Sequence, residues 1–202
     1  KQSQAVKTEE FVVYYQPKYD PRTNELKGAE ALIRWQSPDF GFVAPYRFIP
    51  IFEKNGFIIN MDYYMLEQAF KMQRQQLDAG MRIVPISVNQ SGMHMDEDGY
   101  LLRMHEFVDN NDLPAGSIEL EITETVFVDF ETQESRQNAI QIVDELRNMG
   151  FTVSMDDFCT GYSSIAMLES LSMDIMKIDR TMLLAAERSE RGRRLLDIII
   201  NM

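Results

Sequence analysis

The sequence predicts an α/β fold of parallel β/α units, either a (β/α) barrel or an open doubly wound sheet, and three observations predict it. From Ile83 onward, short β-branched runs alternate with helical patterns at the spacing of β/α units. Five of the strand-like runs carry one polar and one apolar face, which places a polar hollow on one side of a sheet and helices on the other. The 202 residues are 45% hydrophobic, enough for one large core, and no compositional break divides them.

Taken in order, Lys1 to Glu10 is polar and reads as a linker or frayed helix, so the domain spans 11–202. Phe11 to Tyr15 reads as a strand, Pro17 and Asp20 to Asn24 as turn chemistry, and Gly28 to Trp35 as a second strand. The short turn between them predicts a hairpin, hence an antiparallel first strand. Pro38, Gly41 and Pro45 mark a loop, followed by helical patterns over Phe48 to Asn55 and Met61 to about Ala79, the latter stopped by Gly80. The alternation then runs strand Ile83 to Asn89, helix Tyr100 to Asn110, strand Ile118 to Ile122, helix Glu131 to Met149, and strand Phe151 to Met155 after Gly150. It continues with helix Ser163 to Leu171, strand Ile175 to Ile178 and a last helix from about Glu187. A closed barrel has eight strands in about 250 residues. Six strands therefore predict, for a barrel, that two β/α units are absent.

Charge and cysteine usage exclude several functions. A net charge of -12 opposes tracking along a nucleic-acid backbone, so no DNA partner is expected. Cys159 is the single cysteine, which rules out an intrachain disulfide, and neither a signal peptide nor a bilayer-length apolar run is present. A cytoplasmic setting follows, with any tether outside these residues.

Residues two apart on a strand share a face. Glu30, Leu32 and Arg34 thus fall together, as do Ser87 with Asn89, Glu119 with Glu121, Ser154 with Asp156, and Lys177 with Asp179. The opposite faces carry Ala29, Ala31, Ile33, Ile86, Val88, Leu120, Ile122, Val153 and Met155. A hollow lined by acids is costly unless the charges are paired or bind metal. Glu30, Glu121, Asp156 and Asp157 are hard oxygen donors at strand ends, and Asn89 adds a neutral one, a set suited to Mg²⁺ or Mn²⁺. The adjacent Asp156 and Asp157 suggest two ions, one carboxylate bridging them, an arrangement that hydrolyses phosphate esters.

Plainer readings stand beside these. The acids could simply pair with Arg34 or Lys177, Asn89 could cap a loop, and Glu124 could cap a turn; Glu119 reads as structural. His94, in a Met-rich loop, and His105, in a helical pattern, both read as surface residues. Cys159 lies beside acids that disfavour a thiolate, and the 14 methionines read as adaptable core packing. The run Arg188 to Arg194, interleaved with Glu190 and preceded by Glu187, reads as a solvated helix face.

Glu30-Ala-Leu32 followed by Ile33-Arg34-Trp35 resembles the signature of the EAL family of bacterial cyclic di-GMP phosphodiesterases. Tyr15-Gln-Pro17, Pro45, Phe48-Ile-Pro50, Glu53, Gly56, Val88-Asn89, Glu121-Ile-Thr-Glu124, Asp156 to Ser164 and Lys177-Ile-Asp179 extend the likeness in order across the chain from Phe11. The resemblance implies a TIM-like (β/α) barrel with an antiparallel first strand, incomplete here at six of eight strands. It also implies hydrolysis of cyclic di-GMP to linear pGpG. By that resemblance Glu30, Asn89, Glu121 and Asp156 hold one Mg²⁺ or Mn²⁺, and Asp156 and Asp157 a second. Lys177 orients or deprotonates the attacking water, and Glu124 anchors the loop 158–164, which also supplies a homodimer contact. Gln16, Leu32 through its backbone, Arg34 and Asp179 fall to substrate binding, and GGDEF or sensory modules are implied as fused partners. Two departures stand out: Cys159 replaces the family's usual Gly, and the EGVE-like stretch of the seventh strand does not occur before Met202. The alternatives are a catalytically silent cyclic di-GMP receptor that keeps Gln16 and Arg34, and an enolase-type lyase using Lys177 as base.

Overall fold

The computed structural model describes residues 10–128, 132–158 and 171–201. Strands β1 (Phe11–Tyr19) and β2 (Leu26–Ser37) form the expected antiparallel hairpin. Its turn is tied by Asp20 Oδ1, which accepts the backbone N–H of Arg22 at 2.8 Å and of Thr23 at 3.3 Å. A short strand β3 (Gly41–Val43) pairs with the end of β2 inside the stretch predicted as loop. Three residues between prolines carry no alternation to read, and their strand character comes from pairing with Trp35 to Ser37.

Helix α1 (Pro45–Lys54) begins at its proline, whose fixed φ suits the first helical turn, three residues earlier than predicted. Helix α2 (Ile58–Asp78) follows, and then the parallel ladder: β4 (Ile86–Gln90), a 3₁₀ turn (Gly92–Asp96), α3 (Tyr100–Asn111), β5 (Ile118–Thr123), a one-turn α4 (Thr125–Val128), α5 (Gln133–Asn148) and β6 (Thr152–Phe158). After Leu171 come β7 (Ile175–Ile178), α6 (Arg180–Arg188) and α7 (Glu190–Ile200). The predicted last helix, from about Glu187, corresponds to α7, and α6 before it was not predicted; the two are parted at Ser189, whose extended backbone breaks the first and whose Oγ accepts the Gly192 N–H to start the second. The predicted helix Ser163 to Leu171 lies outside the described residues apart from Leu171.

The sheet runs β1-β2-β4-β5-β6-β7, with β3 antiparallel on the flank of β2; β2, β4, β5, β6 and β7 are parallel, and the sheet is not closed into a full barrel among the described residues. The apolar faces read from the sequence are buried as expected: Ala31, Val88, Leu120, Ile122, Val153 and Met155 pack beneath Leu66, Ala69 and Phe70 of α2, Met104 of α3, and Val143 and Leu146 of α5. A second cluster of Phe11, Phe48, Phe52 and Phe57 seats α1 against the hairpin. With the helices fixed on one side, the ends of β2, β4, β5 and β6 lie side by side, Glu30 opposite Ser87, Asn89 opposite Glu121, and Thr123 opposite Asp156.

Candidate active site

Parallel pairing brings the polar faces of the strands together. Asn89 Nδ2 donates to Glu30 Oε1 at 3.4 Å, joining β4 to β2. Lys177 of β7 reaches across the sheet, its Nζ 2.7 Å from Glu121 Oε2 and 3.3 Å from Asp156 Oδ2. Glu30 with Asn89, and Lys177 with Glu121 and Asp156, therefore form two contact groups on one face of the sheet, and the charges of Glu121 and Lys177 are felt at Glu30. Glu124, just past β5, is fully buried, and its backbone N–H donates to the carbonyl of Asp156 at 3.1 Å. The loop it is expected to anchor, and Cys159 with it, fall outside the described residues.

The β6–β7 ladder loses register between Met155 and Phe158, where Asp156 and Asp157 lie. Asp157 takes φ 55°, a left-handed conformation uncommon outside glycine, and its N–H donates to Asp156 Oδ1 at 2.9 Å. Simple alternation would send these two carboxylates to opposite faces. The irregularity falls at this pair, and bulges beside active sites are known to re-aim a side chain.

The charges respond to one another. Burial, and then the charge of Glu121, holds the Glu30 carboxyl above its ordinary range. Burial also pushes Glu121 up, but Lys177, the Ser87 hydroxyl and Lys18 together outweigh it and leave Glu121 below the usual range. Burial alone would lower Lys177, yet Glu121 and Asp156 keep it above its ordinary value, so the ammonium form is favoured. Asp157 is raised by burial and by the neighbouring Asp156. Like charges crowded around two ammonium groups, Lys18 and Lys177, have the sign pattern of a cation site.

Lys18 was not singled out by sequence reasoning. From β1 its Nζ reaches Glu121 Oε1 at 3.1 Å and Glu119 Oε2 at 3.4 Å. The signal available was its register: Lys18 lies two residues from Gln16, opposite Gly28, and so shares the face of Glu30. Glu119, read as structural, is held in this pair.

Among the described residues no three carboxylate, imidazole or thiol groups converge closely enough to cage an ion unaided; the acids meet instead through two ammonium groups. The donor set nonetheless fits a hard divalent cation. Its members are oxygens, three of them from carboxylates, and Glu121 Oε2 is buried without an aligned hydrogen bond, held only by the charge of Lys177.

Beside the acids opens a cavity of about 650 Å³, bordered by Leu32, Arg34 and Asn89 and walled by Ile49, Ile58 and Met65. The Arg34 guanidinium donates to the Ile33 carbonyl at 2.8 Å and lies 5.5 Å from the centre of the Tyr14 ring. Gln16 is exposed opposite Glu30 on the neighbouring strand. Asp179 caps α6, its Oδ1 accepting from the Thr181 N–H at 2.7 Å and from the Thr181 hydroxyl, and its charge adds to those that raise Asp157.

The surface reading of His94 is overturned. Its side chain is fully buried, with Nε2 3.1 Å from Asp62 Oδ2 and Nδ1 2.7 Å from Glu97 Oε2. The 3₁₀ turn folds the Met-rich loop back against α2, a tertiary contact that no local pattern announces. His105 is exposed as expected.

The family model of the EAL domain matches residues 1–202. The bifunctional diguanylate cyclase/cyclic di-GMP phosphodiesterase MucR of Pseudomonas aeruginosa is 32% identical over 177 residues, 88% of this chain and 25% of MucR. The cyclic di-GMP phosphodiesterase NbdA of the same organism is 31% identical over 199 residues, 98% of this chain and 25% of NbdA. The structure of the PaMucR phosphodiesterase in complex with c-di-GMP superposes with a TM-score of 0.86 at 30% identity, covering 98% of this chain and 78% of that one. The chain thus spans about a quarter of the length of these curated relatives.

Proposed function

This chain belongs to the EAL domain family, and from that premise we propose that its strand-end acids carry out the metal-dependent hydrolysis of cyclic di-GMP to linear pGpG. The observation that carries the reading is the alignment of Glu30, Asn89, Glu121 and Asp156 near the ends of four neighbouring strands, beside a cavity bordered by Arg34. Relatives named as cyclic di-GMP phosphodiesterases, and a relative's structure holding c-di-GMP, support it.

In this proposal the cavity takes one base of the dinucleotide, while Arg34, Gln16 and the backbone at Leu32 hold phosphate and base near the acids. Glu30, Asn89, Glu121 and Asp156 would hold one Mg²⁺ or Mn²⁺, with Asp156 and Asp157 serving a second, and such ions supply an acidified water and charge neutralisation at phosphorus. Lys177, held as an ammonium, orients the attacking water by donating a hydrogen bond to its oxygen. As the water oxygen bonds to phosphorus, one ester P–O bond breaks, the ring opens, and the departing ribose oxygen leaves as a hydroxyl with the proton that the water gives up. Glu124 positions the Asp156 end of β6 through its backbone contact. Asp179, engaged as a helix cap, acts on substrate only by holding the start of α6. A homodimer through the region 158–164 and fused GGDEF or sensory modules belong to the same proposal; residues 159–164 lie outside those described.

The test is incubation of the protein with cyclic di-GMP and Mg²⁺ or Mn²⁺, with pGpG followed by chromatography. The expected result is turnover that Glu30→Ala abolishes. Tight binding without turnover would instead identify a receptor, and neither binding nor turnover would remove the substrate assignment.

A further inference from the structure

Gln90 breaks the pattern of its strand. On β4 it shares the face of Ile86 and Val88, the side packed under the helices, and it is only 4% exposed. Its register partner on β5 is the fully buried Ile122. An amide on an apolar face is costly unless its polar atoms are bonded, and here both ends of the amide find partners. Nε2 donates to the Asn89 carbonyl at 3.0 Å, and Oε1 accepts from the Tyr100 hydroxyl of α3 at 3.1 Å. A carbonyl oxygen only accepts, so the Asn89 contact fixes which end of the amide is nitrogen and makes Tyr100 the donor at the other. Tyr100 is itself enclosed, its ring stacked on His94 with centroids 4.6 Å apart.

The peptide held in this way belongs to Asn89, whose side chain faces the acids. The ladder between β2 and β4 ends at the pair Ala31 and Val88, where the cavity opens between Leu32 and Asn89, while β4 stays paired with β5 as far as Gln90. The Asn89 end of β4 therefore has a paired strand on one side only. Its side chain is exposed, and its contact to Glu30 Oε1 is long at 3.4 Å. So long a contact sets the direction of the Asn89 amide only loosely. The backbone sets it, and from the helix side that backbone is held through Gln90.

We infer that Gln90 and Tyr100 form a positioning pair for the metal site: they hold the Asn89 peptide so that its side chain is aimed at an ion shared with Glu30, Glu121 and Asp156. The inference rests on the proposed reading that these four residues hold a divalent cation. Groups that support a ligand without touching the ion fix the donor before the ion arrives, and losing one costs roughly ten- to a hundredfold in affinity or activity.

The test titrates Mn²⁺ into the protein by calorimetry, alongside thermal unfolding and cyclic di-GMP binding, both measured in a chelator. Gln90→Met, of similar volume, weakens Mn²⁺ binding about tenfold. It also lowers the melting temperature, because the Tyr100 hydroxyl is left buried without its partner. Adding Tyr100→Phe removes that orphan, so the double variant regains most of the lost melting temperature while its Mn²⁺ affinity stays low. A merely structural role moves the two readouts together: Mn²⁺ affinity that recovers with stability overturns the inference, as does undiminished affinity in Gln90→Met. Cyclic di-GMP affinity in the chelator is unchanged in both variants. A loss there with Mn²⁺ binding intact makes Gln90 a contact of the cavity wall and also overturns the inference. Should neither variant fold, Tyr100→Phe alone decides, with a smaller drop in Mn²⁺ affinity expected and an unchanged value overturning the pair. Wild-type binding of Mn²⁺ without pGpG formation removes the proposed activity and leaves the pair to be judged by the same variants. No Mn²⁺ binding by the wild type removes the metal reading and the inference with it.

Discussion

Lys18 and Lys177 each take one oxygen of the Glu121 carboxylate, whose side chain is fully buried. Taking away one partner leaves buried negative charge less compensated. In Lys18→Met the metal-free protein is expected to lose about 1–3 kcal/mol of stability, read by denaturant unfolding in a chelator. Mn²⁺ titrated into that variant is expected to bind several-fold more tightly, because one competing ammonium is gone. Unchanged Mn²⁺ affinity would show that Lys18 has no electrostatic hold on the site. At Asp157 backbone and charge pull the same way: φ is 55° and burial with Asp156 raises its carboxyl. Asparagine tolerates this conformation and lacks the charge. Asp157→Asn is therefore expected to melt at or above the wild-type temperature while pGpG formation falls at least tenfold, and Asp157→Val to cost about 1–2 kcal/mol. A drop in melting temperature for the asparagine variant would contradict the strain argument.

Between elements, the start of β7 is pinned by one carboxylate. Asp174 accepts from the Arg147 guanidinium of α5 at 2.7 and 3.1 Å and from the Val153 N–H of β6 at 2.9 Å. Arg147, foremost, holds the Asp174 carboxyl below its usual range. A depressed folded-state value means that the contribution is complete above the ordinary Asp range and fades as pH falls through the lowered value. Asp174→Asn should thus unfold more easily than wild type near neutrality, and the two should converge in acid. A gap that persists at the lowest pH would assign the loss to packing instead. The element matters for function because β7 carries Lys177 into the acid cluster.

At the scale of the molecule, the chain has a net charge of -12 and gathers several of its acids at one end of a sheet. A divalent ion that binds only the folded state stabilises it by about 2.7 kcal/mol at a hundredfold excess over its dissociation constant. Mg²⁺ or Mn²⁺ is expected to raise the melting temperature and a chelator to lower it, and Glu121→Gln is expected to abolish the difference. An equal response in that variant would place the ion elsewhere. No described helix is long and apolar enough to cross a membrane.

Much of this was legible beforehand because strand alternation is a local property. A period of two assigned Glu30, Asn89, Glu121, Asp156 and Lys177 to one face and Ala31, Val88, Leu120 and Val153 to the other, and the parallel register aligned both sets. The motif series from Glu30 to Asp179 carried the family likeness for the same reason, being written in the order of the chain. What the tertiary structure alone decided are contacts between residues distant in sequence. Lys18 meets Glu121 across 103 positions, His94 meets Asp62 across 32, and β3 exists because β2 is there to pair with it. Periodicity states which way a side chain points. Which partner waits there, and whether water is excluded from the meeting, is settled only when helices and sheet close over one another.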